Sequence, residues 1–202
     1  MANLITLSRL ILLGVVISVL YFGSPIWQLL NVLLLILIFV SDGLDGYVAR
    51  RFKEESLFGA VFDIAADRIV ELCLWIALAH IGALPVWIPL VFVARGVLTD
   101  AIRAAETEAK HQAPFATMRT SIGKALVAGR FMRAFYAVLK AVTFCLLVFA
   151  LPLPDLVPQF WNDYGGLIRT TGLWLAYASV AICMVRGLPV IIEFIDEQRR
   201  EL

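Results

Sequence analysis

Six long apolar runs, at about 6–22, 27–48, 58–80, 85–105, 122–150 and 166–190, constrain this chain more than any other feature. Five of them are close to the roughly 20 residues that an α-helix needs to cross the hydrocarbon core of a bilayer, and 122–150 is longer. Gly23-Ser24-Pro25 and Gly82-Ala83-Leu84-Pro85 read as tight turns, and Pro152, Pro154 and Pro158 break the chain before the last run. Composition agrees: 61% of the 202 residues are hydrophobic and 16% are charged, against soluble averages of about 45–50% and about 25%. Six spans consume most of the chain, so no separate globular domain fits. The expected fold is all-α, an integral membrane protein of six transmembrane helices forming one domain over residues 1–202.

The formal charge is +1, which gives no basis for a nucleic-acid partner, since such proteins need a clustered basic face. Cys73, Cys145 and Cys183 each lie in an apolar run without a second Cys or His at ligand spacing, so they read as small buried hydrophobes. Arg9 lies inside the first apolar run and no A-x-A site follows, so that run is expected to stay in the mature chain. Lys and Arg are absent from 23–26, 81–84 and 151–165, whereas Arg50, Arg51 and Lys53 mark one intervening connection and Lys110 and Arg119 the other. By the positive-inside rule these connections, together with both termini, are cytoplasmic. The recurrence of Lys124, Arg130, Arg133 and Lys140 through the fifth run points to a face on a polar cavity rather than on lipid. His80 and His111 read as interfacial or solvated. Trp27, Trp75, Trp87, Trp161 and Trp174 fit an aromatic belt near the span ends.

Four aspartates carry the chemistry. Asp42 and Asp45 are separated by three residues and Asp63 and Asp67 by four, so each pair projects from one side of its helix. An antiparallel hairpin of the second and third spans brings the pairs face to face at the cytoplasmic end. Four carboxylates converging at membrane depth repel one another, and hard divalent cations resolve that conflict. An all-oxygen donor set suits magnesium, manganese or calcium rather than zinc or copper. Two such ions about 3.5–4 Å apart are the arrangement used in phosphoryl transfer. Gly43, Gly46 and Gly59 permit close approach of backbone to a phosphate-bearing ligand, and Arg50 is placed to hold a phosphate bidentately.

These residues together form the pattern Asp42-x-x-Asp45-Gly46-x-x-Ala49-Arg50, eight residues, Gly59-x-x-x-Asp63-x-x-x-Asp67. It resembles the full signature of the CDP-alcohol phosphotransferases, also called CDP-alcohol phosphatidyltransferases. Asn3-x-x-Thr6-x-x-Arg9 is similar to the start of the first span in the bacterial phosphatidylglycerophosphate synthase subgroup, and Ala94-Arg95 through Arg103, then Gly123-Lys124, follow its layout. The chain departs from that subgroup at Gly96, where Glu is usual, and from Ala125 onward, where a Thr and a Gln are usual. The resemblance implies six spans, a homodimer and a site open to the cytoplasmic face of a bacterial-type inner membrane. It also implies a pair of Mg²⁺ or Mn²⁺ ions, and transfer of a lipid phosphate from a CDP-linked lipid to an alcohol with release of CMP. Carried over by position, Asp42, Asp45, Asp63 and Asp67 would hold the metals, with Asp67 also the general base. Asn3, Thr6, Asp45, Gly46, Ala49, Arg50 and Gly59 would bind the CMP portion of the donor.

Arg95, Arg103, Arg119, Lys124, Arg130 and Arg133 form a second, basic group. Arg clusters are the usual means of holding phosphate dianions, so a phosphorylated acceptor is expected, glycerol 3-phosphate first and inositol phosphate second. The rival class is a small cation-coupled transporter. It calls for acids near mid-membrane and for inverted repeats, whereas these aspartates cluster at one end and no repeat is visible.

Overall fold

The protein is described here from a computed structural model covering residues 2–52, 57–110 and 129–201, some of them, including 43–52 and 105–110, by backbone only. All elements among the described residues are helices. They are α1 (Ala2–Phe22), α2 (Pro25–Phe52), α3 (Leu57–His80), α4 (Trp87–Lys110), α5 (Arg130–Ala150), the four-residue α6 (Leu153–Leu156) and α7 (Pro158–Glu201). Four of these, α1, α2, α5 and α7, are long and apolar enough to cross a membrane. The shortfall from six has a chemical cause. α3 carries Asp63, Asp67, Arg68 and Glu71, and α4 carries Arg95, Asp100 and Arg103, so these two helices hold more charge than an uninterrupted apolar span.

The helix ends depart from the expected boundaries. α2 continues through Arg50 and Arg51 to Phe52, and α4 continues to Lys110, so residues expected in connections are helical. The proline-rich stretch 151–165 is not one loop, because α6 and the start of α7 occupy it. Pro154 lies within the first turn of α6 and Pro158 opens α7, as Pro25 opens α2; an N-terminal position has no intrahelical partner for an N–H, so proline is tolerated there. α7 is 44 residues long and includes Pro189. At 1.5 Å per residue it extends about 66 Å, twice the hydrocarbon thickness. Residues 111–128, which hold the expected connection and the start of the expected fifth span, lie outside the described residues.

Contacts divide the chain into two compact units. The first comprises residues 1–86 and 141–173, the second 87–140 and 174–202. In the first, α1 packs on both α2 and α3. Its buried positions are Thr6, Arg9, Leu13, Val16 and Leu20, alternating in steps of three and four; that spacing keeps one stripe against the partners. α2 answers with Asn31, Leu35 and Ile38, and α3 with Ala66, Val70, Leu74 and Leu78. Asn31 is fully buried and donates from Nδ2 to the Val16 carbonyl at 2.9 Å, a satisfied polar link between helices where no water competes. Gly82, at φ +77°, lets the chain turn after α3. At the same end Tyr21 Oη and His80 Nδ1 share a hydrogen bond of 2.9 Å.

Trp75 departs from the aromatic-belt expectation. It is fully buried, with its ring centroid 4.4 Å from that of Phe144 on α5. Gly172 admits Leu147: a Cβ there would fall 2.7 Å from Leu147 Cδ2. The outer surface is apolar. Phe22, Leu33, Phe58 and Val61 are each more than half exposed, a surface that lipid solvates and water does not.

In the second unit Trp87 stacks on Tyr177 with centroids 5.7 Å apart, and Trp174 meets the same ring edge-on at 5.9 Å. Ile102 and Val190 form a small core with Ile191 and Phe194.

Candidate active site

The buried stripes of α1, α2 and α3 change character at one end. The α2 series 31, 35, 38 reaches Asp42 after four more residues. The α3 series running back from Val70 reaches Asp67 and Asp63. One carboxylate oxygen from each of Asp42, Asp63 and Asp67 lies within 4.8 Å of the others. α2 and α3, both packed on α1, thus bring together three of the four expected acids. Asp45 is in α2, three residues after Asp42, and its side chain lies outside the described residues.

Arg9 completes the group. Its Nη2 pairs with Asp42 Oδ1 at 2.7 Å and with Asp67 Oδ1, and its Nη1 donates to Asp63 Oδ1 at 3.2 Å. The exposures are unequal. Arg9's side chain is 3% exposed, whereas those of Asp42, Asp63 and Asp67 are 42%, 42% and 49% exposed. The carboxylates therefore open to one side while the guanidinium backs them from within the helix seam. One positive charge offsets only one of three negative ones, and like charges so close favour an added cation. The all-oxygen donors fit a hard divalent ion such as Mg²⁺ or Mn²⁺. In the sequence Arg9 stands out only as a topology marker and a signature position. The seam spacing Thr6, Arg9, Leu13, with a charged residue at a buried step, was the signal that it faces other helices.

Among the expected CMP-binding residues, Thr6 is buried one turn before Arg9, and Gly59 lies one turn before Asp63 on α3. Asn3 lies in α1, and Gly46, Ala49 and Arg50 in α2, all with side chains outside the described set. One turn beyond Asp67, Glu71 is buried and pairs with Arg68 at 3.6 Å. Also in the first unit, a groove of about 580 Å³ runs along α2 and α5, lined by Ile36, Phe39, Val40, Val142, Cys145 and Phe149 among others. It reaches to within two residues of Asp42 along α2.

The second unit holds the basic group. Arg95 is buried on α4 and Arg133 is exposed near the start of α5. Arg186, on α7, was not anticipated. Its Cζ lies 5.2 Å from the Tyr136 ring centroid, and Lys140 Nζ lies 4.4 Å from the same centroid. Arg186 also feels the like charges of Arg95 and Arg133. Gly187 leaves space for Arg95: a Cβ there would sit 2.8 Å from Arg95 Cγ and 2.9 Å from Nε. Two of the six expected cations, Arg95 and Arg133, thus gather with Arg186. Arg103 and Arg130 lie in α4 and α5 with side chains outside the described set, and Arg119 and Lys124 are outside the described residues altogether.

The CDP-alcohol phosphatidyltransferase family matches residues 1–185. The chain belongs to that family. A CDP-diacylglycerol–glycerol-3-phosphate 3-phosphatidyltransferase of Rickettsia bellii is 29% identical over 57% of the chain and 64% of the relative. A CDP-diacylglycerol–inositol 3-phosphatidyltransferase of Arabidopsis thaliana is 35% identical over 39% of the chain and 33% of its own length. A CMP-forming cardiolipin synthase of Streptomyces coelicolor is 42% identical over 37% of the chain and 34% of its own length. The chain thus covers less than two thirds of these relatives. Family members whose names carry different products share similarity with this one chain, and the transporter alternative finds no support in them.

Proposed function

We propose that this protein is a phospholipid synthase that transfers a phosphatidyl group from CDP-diacylglycerol, or a similar CDP-linked lipid, to an alcohol, releasing CMP. The observation that carries the reading is the convergence of Asp42, Asp63 and Asp67 on one point, at the positions that match the family signature. Asp42, Asp45, Asp63 and Asp67 hold Mg²⁺ or Mn²⁺, most simply two ions. When bound, those ions neutralise the pyrophosphate and stabilise charge on the departing phosphate.

The remaining steps belong to the chain's own residues. Asn3, Thr6, Gly46, Ala49, Arg50 and Gly59 line the CMP pocket, with Arg50 clamping a phosphate. The donor's hydrocarbon chain lies against the α2–α5 groove, whose lining is apolar and whose α2 wall leads to Asp42. The acceptor hydroxyl oxygen attacks the phosphorus that carries the lipid. A new P–O bond forms there as the bond to the CMP phosphate oxygen breaks, and CMP leaves. Asp67 takes the hydroxyl proton, a step that a positioned carboxylate accelerates by about 10²–10⁴-fold.

The acceptor is glycerol 3-phosphate, held through its phosphate by Arg95, Arg103, Arg119, Lys124, Arg130 and Arg133, to which Arg186 is added. Cations gathered as Arg95, Arg133 and Arg186 are call for an anionic partner. Inositol phosphate is the second reading, favoured by the inositol-named relative. The protein forms one domain of six spans with both termini cytoplasmic. It sits in a bacterial-type inner membrane with the site on the cytoplasmic face, as a homodimer; the Lys and Arg distribution supports this orientation.

The test is CMP release from CDP-diacylglycerol by purified protein with Mg²⁺ or Mn²⁺, across glycerol 3-phosphate, inositol phosphate and serine. Release is expected with glycerol 3-phosphate and should vanish in Asp67→Asn. No release with any acceptor would end the proposal.

A further inference from the structure

We propose that Arg9 is a built-in counter-ion for the metal site: a positioning residue that keeps Asp42, Asp63 and Asp67 converged from behind while opposing, and so loosening, the divalent cation held in front. The inference rests on the metal-dependent reading above. It starts from the position of Arg9 on the buried stripe of α1, between Thr6 and Leu13, where an apolar residue would ordinarily pack. A guanidinium there survives only with partners, and it has one on each of Asp42, Asp63 and Asp67.

Its shape matters. The two Nη atoms address different residues, Nη1 to Asp63 and Nη2 to Asp42 and Asp67. A planar fork does this from two nitrogens in a fixed geometry, whereas an ammonium offers its three donors from a single point. The bonds also tie three helices at one point, since Arg9 is on α1, Asp42 on α2 and the other two on α3. A site assembled this way does not depend on the cation for its shape.

The same charge has a second effect. Arg9 and a cation on these carboxylates attract the same oxygens and repel each other, so binding of one weakens the hold of the other. Arg9 thereby keeps the metal exchangeable. The open face of the acids, with side chains 42–49% exposed against 3% for Arg9, lets the cation enter without displacing the guanidinium.

The experiment uses full-length protein in detergent, with Mn²⁺ as probe. Binding is read by electron paramagnetic resonance and stability by thermal unfolding with and without Mn²⁺. In Arg9→Gln the metal-free protein should unfold at lower temperature, Mn²⁺ should restore more stability than in the unaltered protein, and the Kd for Mn²⁺ should fall several-fold. Arg9→Lys keeps the charge but not the fork, so its Mn²⁺-induced gain should lie between the two. That variant carries the test should Arg9→Gln not fold. Equal Mn²⁺-induced gains in all forms, or weaker binding in Arg9→Gln, would make Arg9 an ordinary structural residue and overturn the proposal. Failure of the unaltered protein to bind Mn²⁺ would instead overturn the metal reading, and the inference with it.

Discussion

The carboxylate site of the first unit and the basic group of the second are built in opposite ways. Asp42, Asp63 and Asp67 lie on consecutive helices within a short stretch of chain, and a single buried arginine backs them. Arg95, Arg133 and Arg186 come from α4, α5 and α7, far apart in sequence, and Arg186, beside the Tyr136 ring, feels the like charges of the other two. The first arrangement asks for a cation and the second for an anion. The proposed reaction, in which a metal-bound nucleotide lipid would be joined to a phosphorylated alcohol, needs both. The relatives' names fit this division, since they share CDP-diacylglycerol and differ in the acceptor they name.

Substitutions separate the two regions. The largest effect is expected from Asp63→Asn and Asp42→Asn, which remove proposed metal ligands. CMP release should fall by more than the roughly 10–100-fold that loss of a metal's outer-shell partner produces, whatever the acceptor. Arg186→Gln should act on one substrate only. A hydrogen bond to a charged group is worth about 1.5–3 kcal/mol, so KM for glycerol 3-phosphate should rise about tenfold or more while KM for CDP-diacylglycerol stays put. Equal changes in both would dissolve the distinction between the regions. Gly187→Ala should have a smaller effect of the same kind, because its Cβ would push Arg95 aside. A few-fold rise in acceptor KM, without loss of Mn²⁺ binding, is the expected result. Smallest is Tyr21→Phe, which removes the bond to His80. It should cost about 0.5–1.5 kcal/mol in thermal unfolding and leave both KM values unchanged.

The contrast also explains what could be read in the sequence. The helices were legible because runs of about 20 apolar residues permit little else, and the aspartates because paired spacing on neighbouring helices implies convergence. Arg9 was legible as a position but not as a partner of the acids. Its role depends on α1 packing against both α2 and α3, which spacing within one helix does not reveal. Arg186 was missed for a stronger reason: it stands alone in an apolar stretch of α7, and only the fold places it near Arg95 and Arg133. Trp75 lies near a span end yet is buried, because Phe144 arrives from a helix distant in sequence to cover it. The proline breaks misled because a proline in a helix's first turn begins an element as readily as it ends one.

The central claim is that the three converged carboxylates run a metal-dependent transfer from a CDP-linked lipid. Its most direct test is CMP release from CDP-diacylglycerol with glycerol 3-phosphate, measured in the unaltered protein and in Asp63→Asn while divalent ions are chelated and then restored. The account predicts that release stops on chelation, returns with Mn²⁺ or Mg²⁺, and is absent from Asp63→Asn throughout. Release that ignores the chelator, or that persists near the unaltered rate in Asp63→Asn, would contradict it.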